Sequence, residues 1–320
     1  MWKTILRRVI LMIPQIIILS LLIFILAKMM PGDPFTGLIN PNTDPARIEE
    51  LKKASGFYDP WYQQYYNWIT NALHGDFGKS YTYKYDVATV IGQRIGNTVR
   101  LAIVSVILTY ALAIPLGLYA GRYENSWLDK FVVGYNFISF AIPVFVLALL
   151  MIYFFGYTLH WFPTSGSVAT DATPGTIGYF MSQLYHVLLP SIVQALLGTA
   201  VTIQYLRSEV IDAKKMDYIR TARSKGVPTS TVFNRHIFRN ASLPIASTLG
   251  YEITGLISGS VMIEIIFNYP GIGNLFITSI GQRDYSVITA LTLIFGVATL
   301  VGTLLSDIIM SIVDPRIRIQ

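Results

Sequence analysis

The chain contains no cysteine, which excludes disulfides and thiolate metal sites and leaves the redox compartment open. Histidine is scarce: His74, His160, His186 and His236 are the only four, and no two stand at the His-x-x-x-His spacing that would set both imidazoles on one helix face for a metal. Charge is thin, with 13% Asp, Glu, Lys and Arg against 53% hydrophobic residues over 320 positions. A mean hydropathy of +0.51 is too apolar for a water-soluble domain of ordinary composition, so the bilayer is the expected solvent. A pI near 9.3 raises the question of nucleic acid. The basic residues gather beside apolar runs, as a cytoplasmic loop bias requires, and nucleic-acid binding is not expected.

Nucleotide and catalytic patterns are also missing. Gly78-Lys79-Ser80 has the tail of a phosphate-binding loop, but Leu73 holds the place of its first glycine, and the backbone N–H cradle needs that residue. Gly255-Leu256-Ile257-Ser258-Gly259-Ser260 falls short of Gly-x-Ser-x-Gly. Small residues at Gly255, Gly259 and Gly302 fit close helix contact in a membrane better. No enzyme activity is expected of this chain.

What the sequence does have is apolar length. Residues 9–27 are nearly unbroken apolar, follow Lys3, Arg7 and Arg8, and have no small-x-small cleavage pattern before Lys28, so they read as a retained signal anchor with the N-terminus in the cytoplasm. Five more runs of membrane length lie near 98–120, 131–157, 187–206, 245–267 and 287–313. Backbone polar groups in lipid must be satisfied within each segment, so the expected fold is an all-α bundle of six transmembrane helices. Pro115 and Pro143 are expected to kink them. Loop charge agrees with both termini cytoplasmic: Arg122 and Lys130 mark one inner loop, Arg316 and Arg318 the tail, and the outer loop 158–186 has no Lys or Arg.

The first outer loop is long and reads as folded. Asp44-Pro45 and Gly56 bracket one short helix, and Asp59-Pro60 and Gly75 a second. In that second helix Trp61, Tyr65 and Trp68 recur at helical spacing beside Tyr62 and Tyr66, a pattern that favours packing at the membrane interface over ligand contact. Val87, Val90, Ile91 and Ile95 form an apolar face leading into the second span. Three acids fall in the spans: Asp307 near the inner end, Glu264 with structural pairing as its expected role, and Glu252 with none assigned.

Between the fourth and fifth spans, residues 207–243 carry eight basic residues against three acidic ones. Locally they read as two short helices. Asp212 caps the first, which runs through Met216, Ile219 and Arg223 to a stop at Gly226, with Pro228 preventing continuation. Thr229 or Ser230 caps a second through Phe233 and Ile237. A helix pair held this close to a membrane can act as a rigid handle; a basic loop resting on anionic lipid is the plainer alternative.

The run Asp217-Tyr218-x-Arg220-Thr221-Ala222-Arg223-x-Lys225-Gly226, then Arg235-His236-x-x-Arg239-Asn240-Ala241-x-Leu243-Pro244, resembles the cytoplasmic signature loop of ATP-driven importer permeases. More narrowly it is similar to the B-type permeases of dipeptide and oligopeptide importers. Further matches run in order along the chain: Met30-Pro31-Gly32-Asp33-Pro34, Gly75-Asp76-Phe77-Gly78-x-Ser80, Trp161-Phe162-Pro163-x-Ser165-Gly166, Glu264-x-x-Phe267-x-x-Pro270-Gly271-x-Gly273, Arg283-Asp284-Tyr285 and Asp314-Pro315-Arg316. Where general importer permeases show Glu-Ala-Ala, this chain has Arg220-Thr221-Ala222, so an ion pair drawn from that glutamate has no counterpart here.

The resemblance implies a type I importer fold with four parts. These are residues 1–28 (N-terminus and first span), 29–97 (a partly helical extracytoplasmic loop domain), 98–313 (the core, with coupling loop 207–243) and 314–320 (a cytoplasmic tail). It implies a bacterial or archaeal cell membrane, a C-type partner permease, two cytoplasmic ATPase subunits that bind ATP and Mg, and an external peptide-binding protein. No cofactor is expected on this chain itself. Asp217, Arg220, Thr221, Ala222, Arg223, Lys225, Gly226 and Pro228 would form the ATPase-coupling loop. Glu264, Phe267, Pro270, Gly271 and Gly273 would be a structural motif. Nickel or another small solute is the alternative cargo within the family; a secondary carrier or a scaffold is the rival outside it.

Overall fold

Four of the apolar runs become helices long enough to cross a bilayer: α1 (Trp2–Met29), α4 (Val87–Arg122), α7 (Ile177–Lys215) and α14 (Tyr285–Val313). The computed structural model describes residues 2–30, 45–54, 56–257 and 260–313. Among these residues there is no strand, and one isolated bridge joins Lys79 to Asp86. At 1.5 Å per residue α4 would span about 54 Å, well beyond a hydrocarbon core of about 30 Å, so it starts far outside the run at 98–120. Pro115 and Pro190 lie inside continuous helices.

The third run forms a bent pair. α5 (Trp127–Ala141) meets α6 (Val144–Met151), which continues as a π-helical stretch Ile152–Thr158, at an angle of 104°. Pro143 causes the bend, because a residue before proline is pushed out of the helical region, and Ile142 has ψ 118.

The fifth run departs from expectation. The described residues of 245–267 do not make one helix: α11 (Leu243–Ile257) has 15 residues, Ser260 is not helical, and α12 (Val261–Ile266) and α13 (Ile272–Gly281) are short pieces. Ser260, at φ −72 and ψ 57, has left helical geometry. It lines an open cavity, and irregular backbone is tolerated in a membrane bundle where it lines such a space.

Small residues set the packing. Gly117 and Gly121 of α4 lie against Leu206 and Val210 of α7, and a Cβ on Gly250 or Gly302 would collide across the α11–α14 contact. Gly302 therefore packs as expected. Gly255 does not, since nothing lies within 4 Å of its Cβ position; Gly259 lies outside the described residues. α1 is peripheral, joined to α14 by an Arg8–Asp307 ion pair of 3.2 Å.

In the loop between α1 and α4 the helices are α2 (Pro45–Ala54) and α3 (Trp61–Leu73). Asp44 lies outside the described residues, and α3 starts one residue later than expected, with Pro60 as its N-cap. Tyr65 hydrogen-bonds Ser20 of α1 at 2.8 Å, and Phe24 meets Tyr65 and Trp68 at 5.5 and 5.9 Å. Trp61, Tyr62 and Tyr66 stay exposed. One face of α3 thus packs on α1.

Candidate functional site

The basic segment begins inside α7, not at a new helix. Asp212 was expected to cap, yet helix continues through it because Val210, Ile211 and Ala213 are buried against neighbours. The chain turns extended only at Met216, with ψ 147, and α8 (Asp217–Ser224) follows. Asp217 lies in the first turn of α8, where a carboxylate suits the helix dipole.

The end of α8 is a Schellman closure. Gly226, at φ +73, donates to Arg223 O at 2.9 Å, and Val227 donates to Ala222 O at 3.2 Å. Pro228 then caps α9 (Thr229–Thr231), which runs through a π-helical stretch Val232–Ile237 into α10 (Phe238–Ala241). No side-chain cap bond starts α9, contrary to the role expected of Thr229 or Ser230.

Ile219 roots this structure. It is fully buried in a cluster with Leu206, Val210, Val232, Phe233 and Ile237, with Ala222 packed at its edge. Burying such a side chain contributes on the order of 2 kcal/mol, enough to bias a helix of two turns that could not persist alone. Arg220, Thr221, Arg223 and Lys225 face outward. Thr221 bonds back to Asp217 O at 3.0 Å, and Arg220 approaches Asp217 at 3.8 Å in an exposed pair of little energetic weight. Arg223 and Lys225 have no side-chain partner among the described residues.

Two of the eight basic residues turn inward instead. Arg207 makes a bidentate pair with the buried Asp129 of α5, at 2.5 and 2.9 Å. Lys214 donates to Gly121 O and Arg122 O at 3.0 and 3.1 Å, satisfying carbonyls at the end of α4. Arg122 in turn lies 4.8 Å over the Phe233 ring. These contacts tie the loop rigidly to α4, α5 and α7. Sequence reasoning missed them; the signal present was an acid at position 129, one turn inside a capped helix start.

The second motif is a buried carboxylate clamp. Glu264 is 0% exposed, accepts from Thr98 Oγ1 at 2.7 Å and from Asn274 N at 2.8 Å, and lies against Gly271 and Gly273 where any Cβ would crowd it. Thr98 also accepts from Ile272 N at 2.9 Å, and Pro270 O accepts from Asn97 at 2.9 Å. Phe267 is buried, and its carbonyl accepts from Gly166 N at 3.0 Å. The clamp thus joins α4, α12, α13 and the loop of the Trp161–Gly166 motif. Both carboxylate oxygens of Glu264 are thus bonded within the fold.

Two further motifs meet across the chain. Asp284, wholly buried, accepts from the Ser80 hydroxyl and from Thr82 N at 3.1 Å. The loop that precedes α4 is thereby fastened to the start of α14. The Met30–Pro34 motif beyond Met30 and the terminal Asp314-Pro315-Arg316 lie outside the described residues. Among the described residues no group of three His, Asp or Glu side chains is placed to hold a metal.

An all-helical membrane bundle with a rooted basic helix projecting from one end has the form of an importer's membrane subunit. The structure is similar to a chain of the inward-facing MetNI methionine ABC transporter, with a TM-score of 0.54 at 15% identity, covering 70% of this chain and 96% of that one. The family described as "Binding-protein-dependent transport system inner membrane component" matches residues 113–319, and its N-terminal counterpart matches residues 1–102. The chain belongs to that family of integral membrane permease subunits, whose ATP hydrolysis is carried by partner ATPases. It is 40% identical to the oligopeptide transport system permease AppB of Bacillus subtilis, over 98% of both chains. It is 35% identical to a putative peptide transport permease of Brucella abortus and 32% identical to the glutathione transport permease GsiC of Escherichia coli, each over 99% of both chains.

Proposed function

We propose that this chain is one of two permeases of an importer that carries di- or oligopeptides into the cytoplasm, and that α8 is where an ATPase subunit takes hold of it. The observation that carries this reading is the construction of α8: Ile219 anchors it in the bundle while Arg220, Arg223 and Lys225 project outward. A push on such a helix passes into α7, α4 and α5 through Lys214, Arg207 and Asp129. The names of the relatives, which speak of peptide, oligopeptide and glutathione transport, support a peptide cargo over nickel or another small solute. The remaining parts of the assembly are a C-type permease, two ATPases with bound ATP and Mg, and an external peptide-binding protein. Both termini and α8 lie on the cytoplasmic side.

Gly226→Asp tests the coupling role. Nothing lies within 4 Å of a Cβ there, and a side chain at positive φ costs about 1–2 kcal/mol, so insertion and assembly persist. Peptide uptake and substrate-stimulated ATP hydrolysis by the reconstituted complex both fall sharply. Normal values for both would remove α8 from the coupling path.

A further inference from the structure

α4, α6, α7, α11 and α12 border a cavity of about 610 Å³ beside Ser260, where α12 begins. Its polar lining is sparse: Thr109, Tyr110, Gln194, Ser260 and the carboxylate of Glu252, set among side chains such as Val201 and Met262. Gln194 and Ser260 are bonded to each other, and Tyr110 donates its hydroxyl to Glu252 Oε2. No basic side chain of the described residues pairs with Glu252. The other buried acids are fully engaged by the fold: Glu264 by Thr98 and Asn274, Asp284 by Ser80 and Thr82, Asp129 by Arg207.

Glu252 differs from them in two respects. It is half-buried with its face on the cavity, and one phenolic hydroxyl fills a small part of a carboxylate's acceptor capacity. An acid at membrane depth is costly and marks a ligand path when no structural partner neutralises it. The complementary group is a compact cation with several N–H donors. The cavity lies within the size range of small-molecule sites, and the end of a short peptide fits it.

We propose that Glu252, oriented by Tyr110, is an ammonium-binding residue of a substrate site on the translocation path, and that it holds the protonated amino terminus of the passing peptide. The inference rests on the peptide-import reading. A lysine side chain of the cargo presents the same ammonium chemistry and would engage the same carboxylate.

The absence of native cysteine permits a direct test in the full complex with its partner subunits. Val201→Cys places one thiol of this chain on the cavity wall, and its modification by a maleimide is followed by mass. Trialanine is expected to slow modification and N-acetyl-trialanine is not, while N-acetyl-Ala-Lys-Ala protects through its side-chain amine. In Val201→Cys/Glu252→Gln the half-protecting concentration of trialanine rises on the order of tenfold, the scale of a hydrogen bond to a charged group. Equal protection by trialanine and its acetylated form in the Glu252 parent overturns the proposal without any further variant. So does unchanged protection in Glu252→Gln. Uptake of trialanine by the native complex is measured alongside: its absence sinks the peptide-import reading itself, whereas uptake with no amine preference at Val201→Cys sinks only the role of Glu252.

Discussion

Glu264 concentrates much of the bundle's order in one side chain. Its carboxylate accepts from α4 and from the start of α13, and Gly271 and Gly273 exist in their motif because no larger residue leaves room for it. Gly271→Ala would drive a methyl into the carboxylate, and overpacking of this kind costs on the order of 2 kcal/mol. The expected result is a thermal midpoint in detergent lowered by several degrees. Gly255→Ala, with nothing within 4 Å of its Cβ, is expected not to lower that midpoint, since alanine favours a helix over glycine. The spacing of the motif was readable in the sequence; its centre was not, because Thr98 stands 166 positions away.

At the scale of elements, the end of the bundle that carries α8 is organised by the meeting of α4, α5 and α7. Asp129 and Arg207 are both withdrawn from solvent, with side chains 3% and 19% exposed. Removing one partner of a buried pair leaves a charge uncompensated, at a cost of about 3–5 kcal/mol. Asp129→Ala should therefore destabilise the protein strongly in mixed-micelle unfolding, and Asp129→Ala/Arg207→Leu should recover much of the loss. A double variant as unstable as the single one would show that the charge pair is not what holds these helices. The same end shows where local reading succeeds. Gly226 closes α8 as its position predicts, by the same closure that Gly56 and Gly75 give α2 and α3, where Phe57 and Asp76 donate back to Lys52 O and Asn71 O. Asp212 failed as a cap for the opposite reason. Its neighbours Val210, Ile211 and Ala213 are buried in contacts made by other elements, and those contacts prolong α7 past a residue that by itself favours a helix start.

For the whole molecule, loop charge leads us to expect both termini and α8 on the cytoplasmic side, and a simple measurement tests this. With no native cysteine, Ser224→Cys in α8 and Tyr85→Cys in the loop before α4 each carry a single thiol of this chain on an exposed position. In spheroplasts an impermeant maleimide should label Tyr85→Cys at once and Ser224→Cys only after permeabilisation. The reverse order would invert the bundle and remove α8 from the reach of cytoplasmic ATP.

The sequence alone determined the solvent, the helical class, the number of apolar runs and the glycine that ends α8, because hydropathy, periodicity and helix termination act over a few neighbouring residues. Only the tertiary structure decided that the fifth run breaks and that Ser80 belongs with Asp284. It also decided that Gly166 belongs with Phe267, and that Arg207 and Lys214 turn inward while Arg223 and Lys225 do not. Those outcomes depend on which atoms the chain path brings within hydrogen-bond reach. A buried polar group must find its partner there, however far away in sequence that partner lies.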